Sequence, residues 1–116
     1  MSTNALVAIK SDNGIKAVYV HWDGDALLPI LDTHYNTPEL AEELVSYGNI
    51  SSLGIRIHPI GEHSFDERES GTTTFYHRDR GEDFRQNTYN NMNELKEESG
   101  NYDYIYYFDG VNWVKI

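Results

Sequence analysis

Two turn signatures set the strongest limit on how this chain can fold. Near its start, ALVAIKSDNGIKAVYV places Asp12, Asn13 and Gly14 between two apolar runs; near its end, YDYIYYFDGVNWVKI places Asp109 and Gly110 in the same way. Asn, Asp and Gly tolerate the positive φ angles of tight turns, so each stretch predicts a pair of antiparallel strands. The expected hairpins cover 5–22 and 102–116. In the first, Ile15, Ala17, Tyr19 and His21 alternate with Lys16, Val18, Val20 and Trp22. Both sets are largely apolar, which places this hairpin centrally in its sheet.

Between the hairpins the helical signals come first. Gly24 in HWDGD ends the second strand, and Asp23 or Asp25 is expected to cap the next element. ALLPILDTHY reads as a short helix with Pro29 in its first turns, where a missing N–H costs little. NTPELAEELVSYG is the clearest helix: Thr37 as N-cap, Pro38 at the first position, Glu39, Glu42 and Glu43 toward the N-terminal end, and Gly48 as the stop. Leu40, Leu44 and Tyr47 are expected on one face. A strand is expected near Ile55–Ile57, closed by Pro59, then an exposed loop or wide hairpin connection over 61–71. TTTFYHR has strong β-propensity and predicts the next strand. After it, the Asn-rich middle of GEDFRQNTYNNMNELKEESG favours turns, and MNELKEES supplies one or two helical turns before Gly100. The order is β-β-α-α-β-β-(α)-β-β. It predicts one α+β domain over residues 1–116, an antiparallel sheet built from hairpins with two helices, about 26–47, on one face.

Charge and composition narrow the function. At 116 residues the chain has room for one core, and its nine tyrosines must supply much of the packing. Cysteine is absent, which removes disulfides, thiolate metal sites and cysteine nucleophiles and fits a reducing cytosol. No apolar run approaches the roughly 20 residues of a membrane span, and MSTNALVAIK lacks the pattern of a secretory signal. The formal net charge of −10 argues against binding duplex nucleic acid through a basic face. The acidity serves solubility, or it lets carboxylates stand in for phosphates against a basic groove.

Two strand ends carry the candidate binding groups. In HWDG, Trp22 offers a flat surface for stacking, and His21 and Asp23 offer a donor and an acceptor; alternatively Trp22 is core and Asp23 caps a turn. In FYHRDRGEDF, strand alternation would put Arg78 and Arg80 on one face as an anion clamp, with Tyr76 and His77 beside them. A clamp arginine should be removable without loss of fold. The plain alternative is a solvated strand end neutralised by Asp79, Glu82 and Asp83. Catalytic motifs are missing: there is no P-loop, no G-x-S-x-G and no H-E-x-x-H. The five histidines are scattered, so neither a metal nor another cofactor is expected; His63 and Asp66 in HSFDE would be the first place to look for zinc.

MSTNALVAIKSDNGIKAVYVHWDGD, HYNTPELAEELVSYGNISSLG, EHSF and FYHRDRGED together resemble a group of small bacteriophage and prophage proteins. Their members tend to carry an MSTR-like start, an HWDGY-like motif, an ISSLG-like turn after a helix, and an RDRGE-like motif. The resemblance covers roughly the first three quarters of the chain. Asn4 stands where the group tends to have arginine, and Asp25 where an aromatic is usual. The resemblance implies a phage origin and a place in the cytoplasm of an infected bacterium, and it brings no defined activity. It leaves three expectations. The first is a non-catalytic, counter-defence binding protein that captures a small phosphate-bearing, nucleotide-like ligand. Arg78 and Arg80 would hold phosphate, Trp22 or Tyr76 would stack, and the chain could work as a homo-oligomer. The second is an acidic inhibitor or nucleic-acid mimic that blocks a basic surface of a host defence protein. The third is a small hydrolase or phosphodiesterase using His21 and His77 as acid and base.

Overall fold

The computed structural model describes residues 3–116. Both expected hairpins form. β1 (Ala5–Ser11) pairs antiparallel with β2 (Gly14–Val20), from Ala5 opposite Val20 to Ser11 opposite Gly14. A single 3₁₀ turn at Gly24–Ala26 leads into α1 (Leu27–His34), and α2 (Pro38–Ser46) comes next. The Thr37 side chain caps α2 by accepting from the Leu40 N–H at 3.2 Å. Then come β3 (Ile50–Ser52), β4 (Thr74–Phe75), α3 (Tyr76–Arg80), β5 (Asn87–Tyr89), α4 (Met92–Lys96), β6 (Tyr104–Phe108) and β7 (Trp113–Lys115).

The seven strands form one open, mostly antiparallel sheet in the order β4-β3-β2-β1-β6-β7. β5 joins β2 beyond β3, opposite Ile15–Ala17. The two hairpins meet through a parallel pairing of β1 with β6, and a second parallel contact sets Val20 of β2 against Ile50 of β3. The alternation along β1 and β2 builds two cores. Ala5, Val7, Ile9, Val18 and Val20 face Leu27 and Leu31 of α1 and Ala41, Leu44 and Val45 of α2. Leu6, Ala8, Ile15 and Ala17 face the other way and are closed over by Leu95 of α4, with Tyr89, Met92 and Tyr102 around it. Each fully buried Leu, Ile or Val contributes about 1.5–3 kcal/mol, so a strand buried on both sides anchors the molecule.

The structure departs from the sequence expectations at five points. The strand placed near Ile55–Ile57 lies earlier, at Ile50–Ser52, and the later stretch keeps only one bridge, Arg56 to Thr72. Gly54 explains the break: its backbone lies so close to Gly71 that an added Cβ would collide with the Gly71 carbonyl oxygen. The strand expected over TTTFYHR stops at Phe75, and Tyr76–Arg80 is helical. Asp79 reaches back to the Phe75 N–H at 2.8 Å and satisfies one of the donors left free at the start of the turn. Gly81 at φ 76° ends the turn, with its N–H bonding His77 O and the Glu82 N–H bonding Tyr76 O. In α2, Leu40 is exposed, and Ala41, Leu44 and Val45 form the inner face. Asp23, itself left-handed at φ 59°, makes no side-chain cap to the adjoining turn among the described residues. β5 forms within the stretch whose asparagines favour turns, because Asn87–Tyr89 finds the open edge of β2.

Candidate functional site

The connection from β3 to β4 is the wide hairpin link expected over 61–71, and Glu69 holds it together. Its carboxylate accepts from the Thr72 hydroxyl (2.6 Å), the Ile60 N–H (2.9 Å), the Gly61 N–H and Arg56 Nη2 (3.3 Å). The Thr72 bond, followed by the two backbone bonds, holds the carboxyl down to about 2. The Glu69 N–H in turn donates to Nδ1 of His63 at 2.9 Å. The His63 side chain is fully buried, and its Nε2 lies 3.5 Å from Oδ2 of Asp79. Because Nδ1 accepts, the neutral ring carries its hydrogen on Nε2, facing Asp79.

Asp79 and Arg78 form the centre of this packing. Arg78 turns inward: Nη1 donates to Ile57 O (2.7 Å), Nη2 to Thr73 O (2.9 Å) and Asp79 Oδ2 (3.1 Å), and Nε to Asp79 Oδ1 (3.0 Å). Its guanidinium also lies 4.7 Å from the Phe75 ring centroid. Burial pushes the Asp79 carboxyl up, but the Arg78 bonds and the Phe75 N–H outweigh it and the net shift is downward. Residues two apart in a helix point to opposite sides, so Arg78 and Arg80 do not share a face. Arg80 points outward, 56% exposed at its side chain, with Glu82 3.4 Å away.

Tyr76 and His77 line a pocket of about 170 Å³ together with Tyr19, Asn49, Glu82, Asp83 and Arg85. Asn49 seats β3 against β2, because its Oδ1 accepts from the Tyr19 N–H at 3.0 Å, which turns its amide hydrogens toward other acceptors. His77 donates from Nδ1 to Glu82 O at 2.7 Å, leaving Nε2 as the acceptor of the neutral ring. Burial raises the Tyr19 phenol above its ordinary value, and its hydroxyl shares a 2.6 Å hydrogen bond with His21 Nδ1.

The HWDG residues lie beside this pocket and outside its walls. His21 is reached through Tyr19 and stacks edge-on against Trp22, ring centroids 4.6 Å apart. Trp22 is 43% exposed and is not a core residue. Asp23 is exposed, and Gly24 tucks under the chain near Asn4. Of the candidate histidines, only His77 reaches the pocket wall.

The sequence expectations missed Tyr19, Asn49 and Arg85 as wall residues, and took Glu82 and Asp83 only for neutralising neighbours of the arginines. GEDFR directly continues the YHRDR run, so its charges were legible in the sequence. Asn49 gave no signal beyond its place after the helix-stopping Gly48. Among the described residues no three His, Cys, Asp or Glu side chains gather as a metal ion would require, and no helix is long and apolar enough to cross a membrane. Comparison with protein-family models, with curated proteins and with solved structures finds no match.

Proposed function

We propose that this is a non-catalytic binding protein that captures a small, nucleotide-like ligand in the pocket between β2, β3 and the 82–85 segment. The observation that carries the reading is the pocket wall itself: two tyrosine rings, an amide, a histidine acceptor, two carboxylates and an arginine converge on about 170 Å³. Sites that enclose whole drug-sized ligands run to about 300 Å³ or more, so this one fits a single planar ring with the rest of the ligand lying across the surface. Tyr76 and Tyr19 offer stacking faces, Asp83 and Glu82 accept from ring N–H groups, and Arg85 is the cation at hand. Arg78 is not available to the ligand. The resemblance to phage proteins supplies the setting, an infected bacterium in which sequestering a nucleotide signal would blunt a defence.

Calorimetric titration with a panel of nucleobases, nucleosides and nucleotides tests this. We expect saturable binding that Tyr76→Ala weakens by about tenfold or more, the scale of one lost base–aromatic stack. Absence of binding across the panel, or unchanged binding by a folded Tyr76→Ala protein, would overturn it.

A second reading, an acidic face that blocks a basic host surface, is favoured by a separate observation. Of nineteen acidic residues, only Glu43, Glu69, Asp79 and Glu82 have a cationic side chain or histidine within ion-pair reach among the described residues. Charge reversal at Glu97 and Glu98 would then weaken capture of a host partner and flatten its salt dependence.

A further inference from the structure

We infer that Arg68 and Arg80, set against the ring of Phe65, form an oxyanion site for the phosphate of a small ligand. The Arg68 guanidinium carbon lies 4.5 Å from the Phe65 ring centroid and that of Arg80 lies 4.8 Å from it. They arrive from different elements, Arg68 from the β3–β4 connection and Arg80 from the end of α3. Two like charges drawn to one aromatic ring repel each other. In a chain of net charge −10, carboxylate partners are plentiful. Arg68 nevertheless has none within ion-pair reach among the described residues: Nε donates to Phe65 O (2.8 Å), Nη1 to Ser52 Oγ and Nη2 to Ser51 Oγ, both at 3.3 Å. These neutral acceptors fix the guanidinium plane and leave one hydrogen on each Nη without a protein acceptor. Among the described residues Arg80 is held only by the ring and by an exposed contact to Glu82, a kind of pair that contributes little. The oriented guanidinium of Arg68, with unused N–H groups, and the loosely held one of Arg80 at the same ring supply the donors that phosphate recognition uses.

Its position ties it to the pocket. The Phe65 ring packs on Tyr76, centroids 5.7 Å apart, and Tyr76 is a wall of the pocket. A ligand whose ring stacks on the pocket side of Tyr76 would have to reach past Tyr76 and Phe65, which are not both pocket walls, for its phosphate to meet the arginines. For that ring the inference rests on the pocket reading; for the anion it does not.

Equilibrium dialysis with pyrophosphate, with a nucleoside and with the matching nucleoside diphosphate separates the two. We expect saturable pyrophosphate binding that weakens about tenfold or more in Arg80→Ala, the effect of one charge-assisted bond to phosphate. Arg68→Lys, which keeps the charge and loses the fork, should weaken it as well. Arg80 is exposed, so its replacement leaves the fold intact. Pyrophosphate binding without nucleoside binding would support the arginine pair and remove the pocket reading. Nucleoside binding without pyrophosphate binding would sink the pair and leave the pocket. Equal pyrophosphate affinity in wild type, Arg80→Ala and Arg68→Lys would also overturn the inference.

Discussion

Arg78 has every donor nitrogen engaged inside the molecule, and its carboxylate partner Asp79 is only 7% exposed at the side chain. Arg78→Ala should therefore act on the fold: leaving a buried charge unpaired costs about 3 kcal/mol or more. Urea denaturation should show that loss, whereas Arg80→Ala should stay within about 0.5 kcal/mol of wild type. Equal stability of the two variants would contradict this division of labour. Glu69 makes a second prediction, through pH. Its folded value of about 2 lies below its ordinary 4.5, so the stability it adds is fully present above the ordinary value. That stability fades as the pH falls through about 2. A urea midpoint followed from pH 6 downward should fall more steeply in wild type than in Glu69→Gln. Parallel curves would show that the clasp adds nothing.

At the scale of elements, the turn α3 decides what the site can be. A strand through Tyr76–Arg80 would have set both arginines on one face; the helix sends one inward and one outward. One cue was in the sequence. Gly81 after Arg80 marks the end of a helical turn, but the β-propensity of TTTFY outweighed it, and the Asp79 bond to the Phe75 N–H has no sequence signature. Gly81→Ala tests the cap: nothing lies within 4 Å of the added Cβ, so only the strained φ of 76° opposes it. We expect a loss of about 1 kcal/mol by thermal or urea unfolding, and no loss would mean that the left-handed cap is dispensable. The hairpins, α1 and α2 were readable because their signals are local: turn residues, an N-cap, a proline at the first helical position. The pocket was not readable, because Tyr19, Asn49 and Arg85 come from three parts of the chain whose meeting depends on the parallel contact of β2 with β3.

For the molecule as a whole, the decisive joint is the parallel pairing of β1 with β6, which fuses two self-contained hairpins into one sheet. The sequence marked both hairpins and carried no local sign of which strands would meet. Trp113 fastens the same joint to the helical layer: its Nε1 donates to Tyr35 O at 2.8 Å, and its ring packs on Phe108. Trp113→Ala should lower stability by about 3–5 kcal/mol, measured by urea unfolding, and a loss under 1 kcal/mol would mean that the C-terminal hairpin is an appendage. The joint also bears on synthesis. β6 is made 99 residues after the β1 positions it pairs with, Tyr104 against Ala5, about 5–20 seconds later at about 5–20 residues per second. Throughout that interval one edge of β1 has no neighbour, and Leu6 and Ala8 lack the Leu95 that will cover them. The nascent chain therefore presents an open, apolar strand edge to its surroundings until β6 has been made, a template for pairing with other chains that the finished sheet no longer offers.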